Sequence, residues 1–224
     1  MLRPRLLILD LDGTLLDTLA DITALLGRAL AAHGLSEPAA SAVRGFLGDG
    51  ARTLVARAVS SDRRDLVPAV LERYLAEYAA DPTPKTEAMP HAAALLAALP
   101  ALSIRAAVCT NKRGELARVI AARRGLPIPA ELIVGAGDCP RSKPYADPLL
   151  LLLERAGVPA TDAWMVGDSA QDVLAAHAAA VTGVAVTNGY GDPALLAAAS
   201  PELVCADLGA LLEHLQALAA PPAT

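Results

Sequence analysis

The sequence predicts an α/β fold: a parallel sheet covered by helices and interrupted early by an all-helical insert. Three observations predict it. Near the start, Leu6-Leu7-Ile8-Leu9 is a wholly apolar run that reads as a strand buried on both faces. From residue 91 onward, helical stretches alternate with short apolar runs, the pattern of a parallel sheet. Between these regions lies a long stretch with helical periodicity and no convincing strand. The length of 224 residues suits one large domain or a core with a smaller insert, and a hydrophobic content of 54% is enough for a substantial core.

The elements follow in order. Asp17 to His33 carries Leu19, Ile22, Leu25, Leu26 and Ala29 at helical spacing, with Gly34 as a stop. Further helices are expected from Ala39 to Leu47, from Ala51 to Val59 after the loop Gly48-Asp49-Gly50, and from Asp62 to Ala80. Asp81-Pro82-Thr83-Pro84-Lys85 reads as a hinge or linker. Then helix His91 to Leu99 precedes strand Ile104 to Cys109, and helix Gly114 to Arg124 precedes strand Glu131 to Val134. Helix Pro148 to Ala156 precedes strand Ala163 to Val166, and helix Ala170 to Ala180 precedes strand Gly183 to Val186. A strand near Leu203-Val204-Cys205 and a helix from Leu208 to Leu218 close the chain. Residues 1–15 and 86–224 thus form the α/β core, and residues 16–85 the helical insert.

Composition narrows the function classes. Aromatics are only 3%, the net charge is −5 and there is no lysine-rich tract, so neither nucleic acid nor an acidic membrane is expected as a partner. No apolar run reaches the length of a membrane span and no signal-peptide features precede the first strand, so the cytoplasm is the expected compartment. Cys109, Cys139 and Cys205 lack metal-type spacing and read as reduced thiols, with Cys109 and Cys205 buried in strands.

The chemistry begins where the first strand ends. Asp10 and Asp12 share a face there, and Gly13-Thr14 turns the chain at once. Two like charges side by side favour no fold, so a divalent cation with a phosphorylated substrate is the natural reward. The run Asp-x-Asp-Gly-Thr-Leu-x-Asp-Thr after an apolar strand resembles the first motif of the haloacid dehalogenase-like superfamily of phosphohydrolases. That resemblance implies a Rossmann-like three-layer α/β/α core, with residues 16–85 as its helical cap.

Three later stretches fit the same resemblance. Thr110, after strand Ala106 to Cys109, matches the hydroxyl that binds the transferring phosphoryl oxygens, and Asn111 would help hold the phosphate. Lys143 lies in Arg141-Ser142-Lys143-Pro144-Tyr145-Ala146-Asp147-Pro148. Pro144 forces it extended, and Asp147 reads as an N-cap with Pro148 at the first helical position; Arg141 reads as solvated. The family role of Lys143 is to neutralise the nucleophilic carboxylate and the phosphate. Finally, Trp164-Met165-Val166-Gly167-Asp168-Ser169-Ala170-Gln171-Asp172 runs from a strand into two acids. Asp168 joins Asp10 and Asp12 as an expected ligand of Mg²⁺, while Asp172 holds a metal-bound water or orients Lys143.

The resemblance implies hydrolysis of a small phosphorylated metabolite, with Asp10 as nucleophile and Asp12 as general acid and base. Dehalogenase relatives lack the second Asp, so its presence favours phosphoryl transfer. The stretch from Val43 to Gly50, with Leu54 to Ala58, resembles the phosphoglycolate phosphatase branch, as does Asn188-Gly189-Tyr190-Gly191, although Tyr190 is equally well a structural residue. Gly13, Gly48 and Gly50 would approach the substrate closely, and Arg44 or Arg52 would meet its carboxylate. Arg113 and Ala180 depart from the branch's usual Pro and Gly. Other sugar-phosphate, nucleotide or pyrophosphate hydrolases, a phosphomutase, and a silent binding module stay open, as do monomer and homodimer.

Overall fold

A computed structural model describes residues 2–219. The first strand, β1 (Leu6–Leu9), is the hub of a six-stranded parallel sheet, and all four of its residues are fully buried. The short β2 (Leu16–Asp17) leads into four helices: α1 (Leu19–Ala31), α2 (Ala40–Arg44), α3 (Gly50–Ala58) and α4 (Val67–Ala80). The short β3 (Glu87–Ala88) returns the chain to the core. There α5 (Ala92–Ala98), β4 (Arg105–Arg113), α6 (Gly114–Arg123), β5 (Ile133–Ala136), α7 (Asp147–Ala156) and β6 (Ala163–Gly167) follow. The rest is α8 (Ala170–Ala178), β7 (Thr182–Val186), α9 (Pro193–Ala198), β8 (Leu203–Cys205) and α10 (Leu208–Ala219). Among the described residues no helix is long and apolar enough to cross a membrane.

The sheet order is β5-β4-β1-β6-β7-β8. Helices α6 and α7 pack on β4 and β5, and α8 packs on β6 and β7, giving a three-layer Rossmann-like core with an inserted helical cap. Registers fix what meets at the sheet's rim. Leu9 pairs with Val108 of β4 and with Val166 of β6. Asp10 therefore emerges beside β6, which ends at Gly167 just before Asp168, and beside β4, which runs on through Thr110 to Arg113.

The predicted alternation of strands and helices is present, with local differences. The expected helix from Asp62 to Ala80 divides into a 3₁₀ turn, Ser61–Leu66, and α4. Pro68 sits at the second position of α4, where its ring and missing N–H are tolerated only in a first turn. The pair β2–β3, antiparallel through Leu16↔Ala88 and Asp17↔Glu87, was not expected, because two-residue strands carry no readable period. Helix α9 was also missed, although Asp192 caps it by accepting from the N–H groups of Ala194 and Leu195, and Pro193 opens it.

Asp147 behaves otherwise. The N-cap of α7 is Ala146, and the Asp147 carboxylate turns instead to Arg141, accepting from Nε at 3.1 Å and from a terminal guanidinium nitrogen at 2.8 Å. Arg141 is exposed as expected, but it is paired. The proline-rich linker is tied down on its return side. Asp21 of α1 is buried and accepts from the backbone N–H of Lys85 at 3.0 Å and the Thr86 hydroxyl at 2.6 Å. Cys109 and Cys205 are buried as expected, Cys139 is half-buried, and none is bridged.

Candidate active site

Three carboxylates converge at the rim: Asp10, Asp168 and Asp172 each offer an oxygen within 4.8 Å of the others, and all three are buried. Each arrives from a different local cause. Asp10 ends the apolar β1, whose N–H ladder continues through Asp10 N to Val166 O at 2.9 Å. Asp168 follows β6 at the turn into α8. Asp172 sits in the first turn of α8, where it forms a capping box with Ser169, accepting from the Ser169 N–H at 3.0 Å and hydroxyl at 2.7 Å.

Lys143 reaches into this cluster almost wholly buried. Its Nζ is 2.5 Å from Asp172 Oδ1, 2.9 Å from Asp10 Oδ1 and 2.8 Å from the Cys109 carbonyl. The peptide bond from Lys143 to Pro144 is cis. The Asp10 contact is an ion pair without the alignment of a hydrogen bond, so Asp10 Oδ1 is buried and lacks a hydrogen-bond donor.

Asp168 is held from several directions. Oδ1 accepts from the Thr14 hydroxyl at 2.9 Å, and Oδ2 accepts from the N–H groups of Tyr190 at 2.6 Å and Gly191 at 3.1 Å. Gly13 permits the fit: its φ is +83°, and a Cβ there would lie 2.7 Å from Asp168 Oδ2.

The electrostatics follow from burial. Burial pushes the Asp10 carboxyl up to about 7; Lys143 opposes this and the charges of Asp172 and Asp168 add to it. Burial, with Asp172 beside it, pushes Asp168 up to about 6 against the pull of its N–H and hydroxyl donors. Burial alone would lower the Lys143 ammonium, but Asp10 and Asp172 outweigh it and hold it above its ordinary value. Three carboxylates around one ammonium leave surplus negative charge in a desolvated site. An all-oxygen donor set of this kind fits a hard divalent cation, and Asp10 and Asp168 have oxygens facing the cluster to hold one. Both Asp172 oxygens already serve Lys143 and Ser169.

Asp12 stands apart from this cluster. Its Oδ1 accepts from the Thr18 hydroxyl at 2.7 Å, and its Oδ2 accepts from Lys112 Nζ at 2.7 Å. Asp10, Asp12, Thr110 and Asn111 line one cavity of about 590 Å³ including its mouth, and Gly48, Gly50, Tyr74 and Tyr78 of the helical insert wall its other side. Asn111 joins the two sides, donating from Nδ2 to the carbonyls of Gly48 at 2.8 Å and Lys143 at 3.1 Å. Gly50 has φ +81°, and a Cβ there would come within 3.2 Å of the Asn111 carbonyl.

The remaining sequence candidates lie elsewhere. Gly13 donates its N–H to Leu16 O at 2.9 Å and does not line the cavity, so its place is in the turn and against Asp168. Arg44 donates to the Gly189 carbonyl and lies over the Tyr190 ring, 5.6 Å from its centroid. Arg52 lines an adjoining groove with Leu71, Arg113, Asn111 and Lys143. Sequence reasoning did not single out Lys112, Thr14, Tyr74 or Tyr78. The only signal for Lys112 was its place two residues after Thr110 on the same strand.

A family model described as haloacid dehalogenase-like hydrolase matches residues 7–186. A phosphoglycolate phosphatase of Rhodospirillum rubrum is 42% identical over 195 residues, covering 84% of this chain and 81% of that protein. One from Neisseria meningitidis is 36% identical over 215 residues, covering 92% of each. Among solved structures, one from Haemophilus somnus, described as a predicted phosphoglycolate phosphatase, superposes with a TM-score of 0.84 at 26% identity. It covers 96% of this chain and 99% of that one.

Proposed function

Since the chain belongs to the haloacid dehalogenase-like hydrolases, we propose that it is a Mg²⁺-dependent phosphatase of small phosphorylated acids, with 2-phosphoglycolate as substrate. The observation that carries this reading is the placement of Asp10 and Asp12 in one cavity with different partners: Asp10 beside Lys143 and Asp12 beside Lys112 and Thr18. One carboxylate is set for bonding to phosphorus, the other for handling a proton.

The chemistry follows from those positions. An Asp10 oxygen attacks phosphorus while the bond to the ester oxygen breaks, leaving an acyl phosphate on Asp10. Asp12 gives its proton to the departing oxygen and then takes one from the water that attacks the acyl phosphate, releasing phosphate and restoring Asp10. Lys143 and the Thr110 hydroxyl counter charge on the phosphoryl oxygens. Asp10 and Asp168 would hold Mg²⁺, and Asp172 acts through Lys143. The bound cation supplies charge neutralisation and keeps Asp10 ionised. Residues 16–85 act as a cap that walls the cavity and excludes water, while residues 1–15 and 86–224 carry the chemistry. The unbridged cysteines suit a reducing compartment, the cytoplasm.

The test is phosphate release from a panel of esters containing 2-phosphoglycolate, sugar phosphates and nucleotides, with Mg²⁺ and with chelator. Release from 2-phosphoglycolate that stops on chelation and in Asp10→Asn is expected. Full turnover in Asp10→Asn would rule out the covalent route, and release only from other esters would move the substrate assignment.

A further inference from the structure

The cavity holds a buried cation that the chemistry above leaves idle. The Lys112 side chain is 6% exposed, and its Nζ donates to Asp12 Oδ2 at 2.7 Å and to the Tyr78 hydroxyl at 3.0 Å. It also lies over the Tyr78 ring, 4.7 Å from the centroid. An ammonium has three N–H donors, so one remains beyond these two contacts. Arg113 also lines the cavity, but its side chain is 56% exposed and faces Glu115. The two arginines favoured by the sequence do not line it at all.

From this geometry we infer that Lys112 is the specificity-determining residue for the leaving half of the substrate: its ammonium receives the carboxylate of a short phosphorylated acid. The inference rests on the proposed reading of the chain as a phosphatase of such acids. If Asp10 meets phosphorus and Asp12 meets the ester oxygen, the leaving group must project past Asp12 towards Lys112. In a 2-phospho acid one methylene separates the ester oxygen from the carboxylate carbon, so the two kinds of oxygen lie about 3 Å apart. That span matches the Asp12–Lys112 contact. A carboxylate on Lys112 takes the ammonium from Asp12 and frees Oδ2 of Asp12 to face the ester oxygen. Tyr74 and Tyr78, packed edge to face with centroids 5.6 Å apart, close the wall behind and limit the length of the acid.

The experiment compares kcat/KM for 2-phosphoglycolate and for ethyl phosphate, which lacks the carboxylate, in wild type, Lys112→Gln and Lys112→Arg with Mg²⁺. Wild type is expected to prefer 2-phosphoglycolate. Lys112→Gln should cut that preference by about 30-fold or more, chiefly through KM, as loss of a charge-assisted hydrogen bond predicts. Lys112→Arg, which keeps the charge, should retain part of the preference and shows that the site tolerates substitution. Equal losses on both esters in Lys112→Gln, or an unchanged preference, overturn the assignment of Lys112 alone. A wild type that prefers ethyl phosphate overturns the substrate reading and this inference with it.

Discussion

Lys143 Nζ and Asp172 Oδ1 are 2.5 Å apart, with the Asp172 side chain fully buried and that of Lys143 2% exposed. Asp172 belongs to the first turn of α8 and Lys143 to the loop before α7, so this pair ties two rim segments together and aims the ammonium at Asp10. Asp172→Asn keeps the shape and removes the charge that orients Lys143. Turnover is expected to fall about 10–100-fold with little change in KM, since Asp172 contacts Lys143 and does not line the cavity. Lys143→Met removes the only ammonium among three buried carboxylates. It is expected to cost about 3–5 kcal/mol of stability in metal-free protein, read by urea unfolding, besides abolishing turnover.

Added Mg²⁺ and pH are expected to act on the same cluster. The folded-state values of Asp10, about 7, and Asp168, about 6, lie above their ordinary range. Their contribution to stability is therefore fully present below the ordinary carboxylate value. It is lost as pH rises through 6 and 7, because the fold must then keep both charges buried. A divalent cation offsets that loss only where the carboxylates are ionised. The rise in Tm on adding Mg²⁺ should thus be larger at pH 8 than at pH 5, and it should shrink in Asp168→Asn. Melting curves with Mg²⁺ and with chelator at each pH measure this, and a rise independent of pH would contradict it.

Asp138 predicts the opposite pH trend away from the cluster. Burial would raise its carboxyl, but the Arg118 fork and the Gly135 N–H pull it below the usual carboxylate range. A depressed value stabilises the fold above the ordinary pKa, and the stabilisation is lost as pH falls through the folded value. Asp138→Asn is expected to cost about 1–2 kcal/mol at pH 7, the partly exposed pair being discounted for screening. Near pH 3 the difference between wild type and variant in urea should narrow.

Tyr190 separates stability from metal binding. Its hydroxyl accepts the N–H groups of Thr18 at 2.8 Å and Leu19 at 3.1 Å, which open α1, and donates to Asp17 at 2.6 Å. Its backbone N–H serves Asp168. Tyr190→Phe leaves the Thr18 N–H without its acceptor and the Leu19 N–H with Asp17 Oδ1 alone, and is expected to destabilise by about 1–3 kcal/mol. Mg²⁺ affinity measured by calorimetry should stay within about threefold of wild type, because the backbone donor remains.

The four motif positions were legible because each is a local event: an apolar run that stops at an acid, a hydroxyl or a turn. Asp10, Thr110, Asp168 and the segment around Lys143 all carried that signature. Lys112 did not, because its partner Asp12 is 100 residues away and a lysine on a strand end reads as solvated. Asp21 was hidden for the same reason, its acceptors' partners lying in the returning linker at Lys85 and Thr86. Arg44 read as a substrate contact because nothing local shows that the Gly189 carbonyl and the Tyr190 ring occupy its guanidinium.

By itself the sequence determined the order of the six sheet strands and of every helix but α9, the early helical insert and the rim positions of the candidate site residues, since periodicity and turn chemistry act between near neighbours. Only the tertiary structure decided which strand ends are adjacent, with β1 between β4 and β6. It also decided which charges share a desolvated space: Asp172 with Lys143 and Asp10, and Asp12 with Lys112. Burial and pairing are sums over groups distant in the chain, so the separate pairing of Asp10 with Lys143 and of Asp12 with Lys112 took physical form only when the sheet assembled.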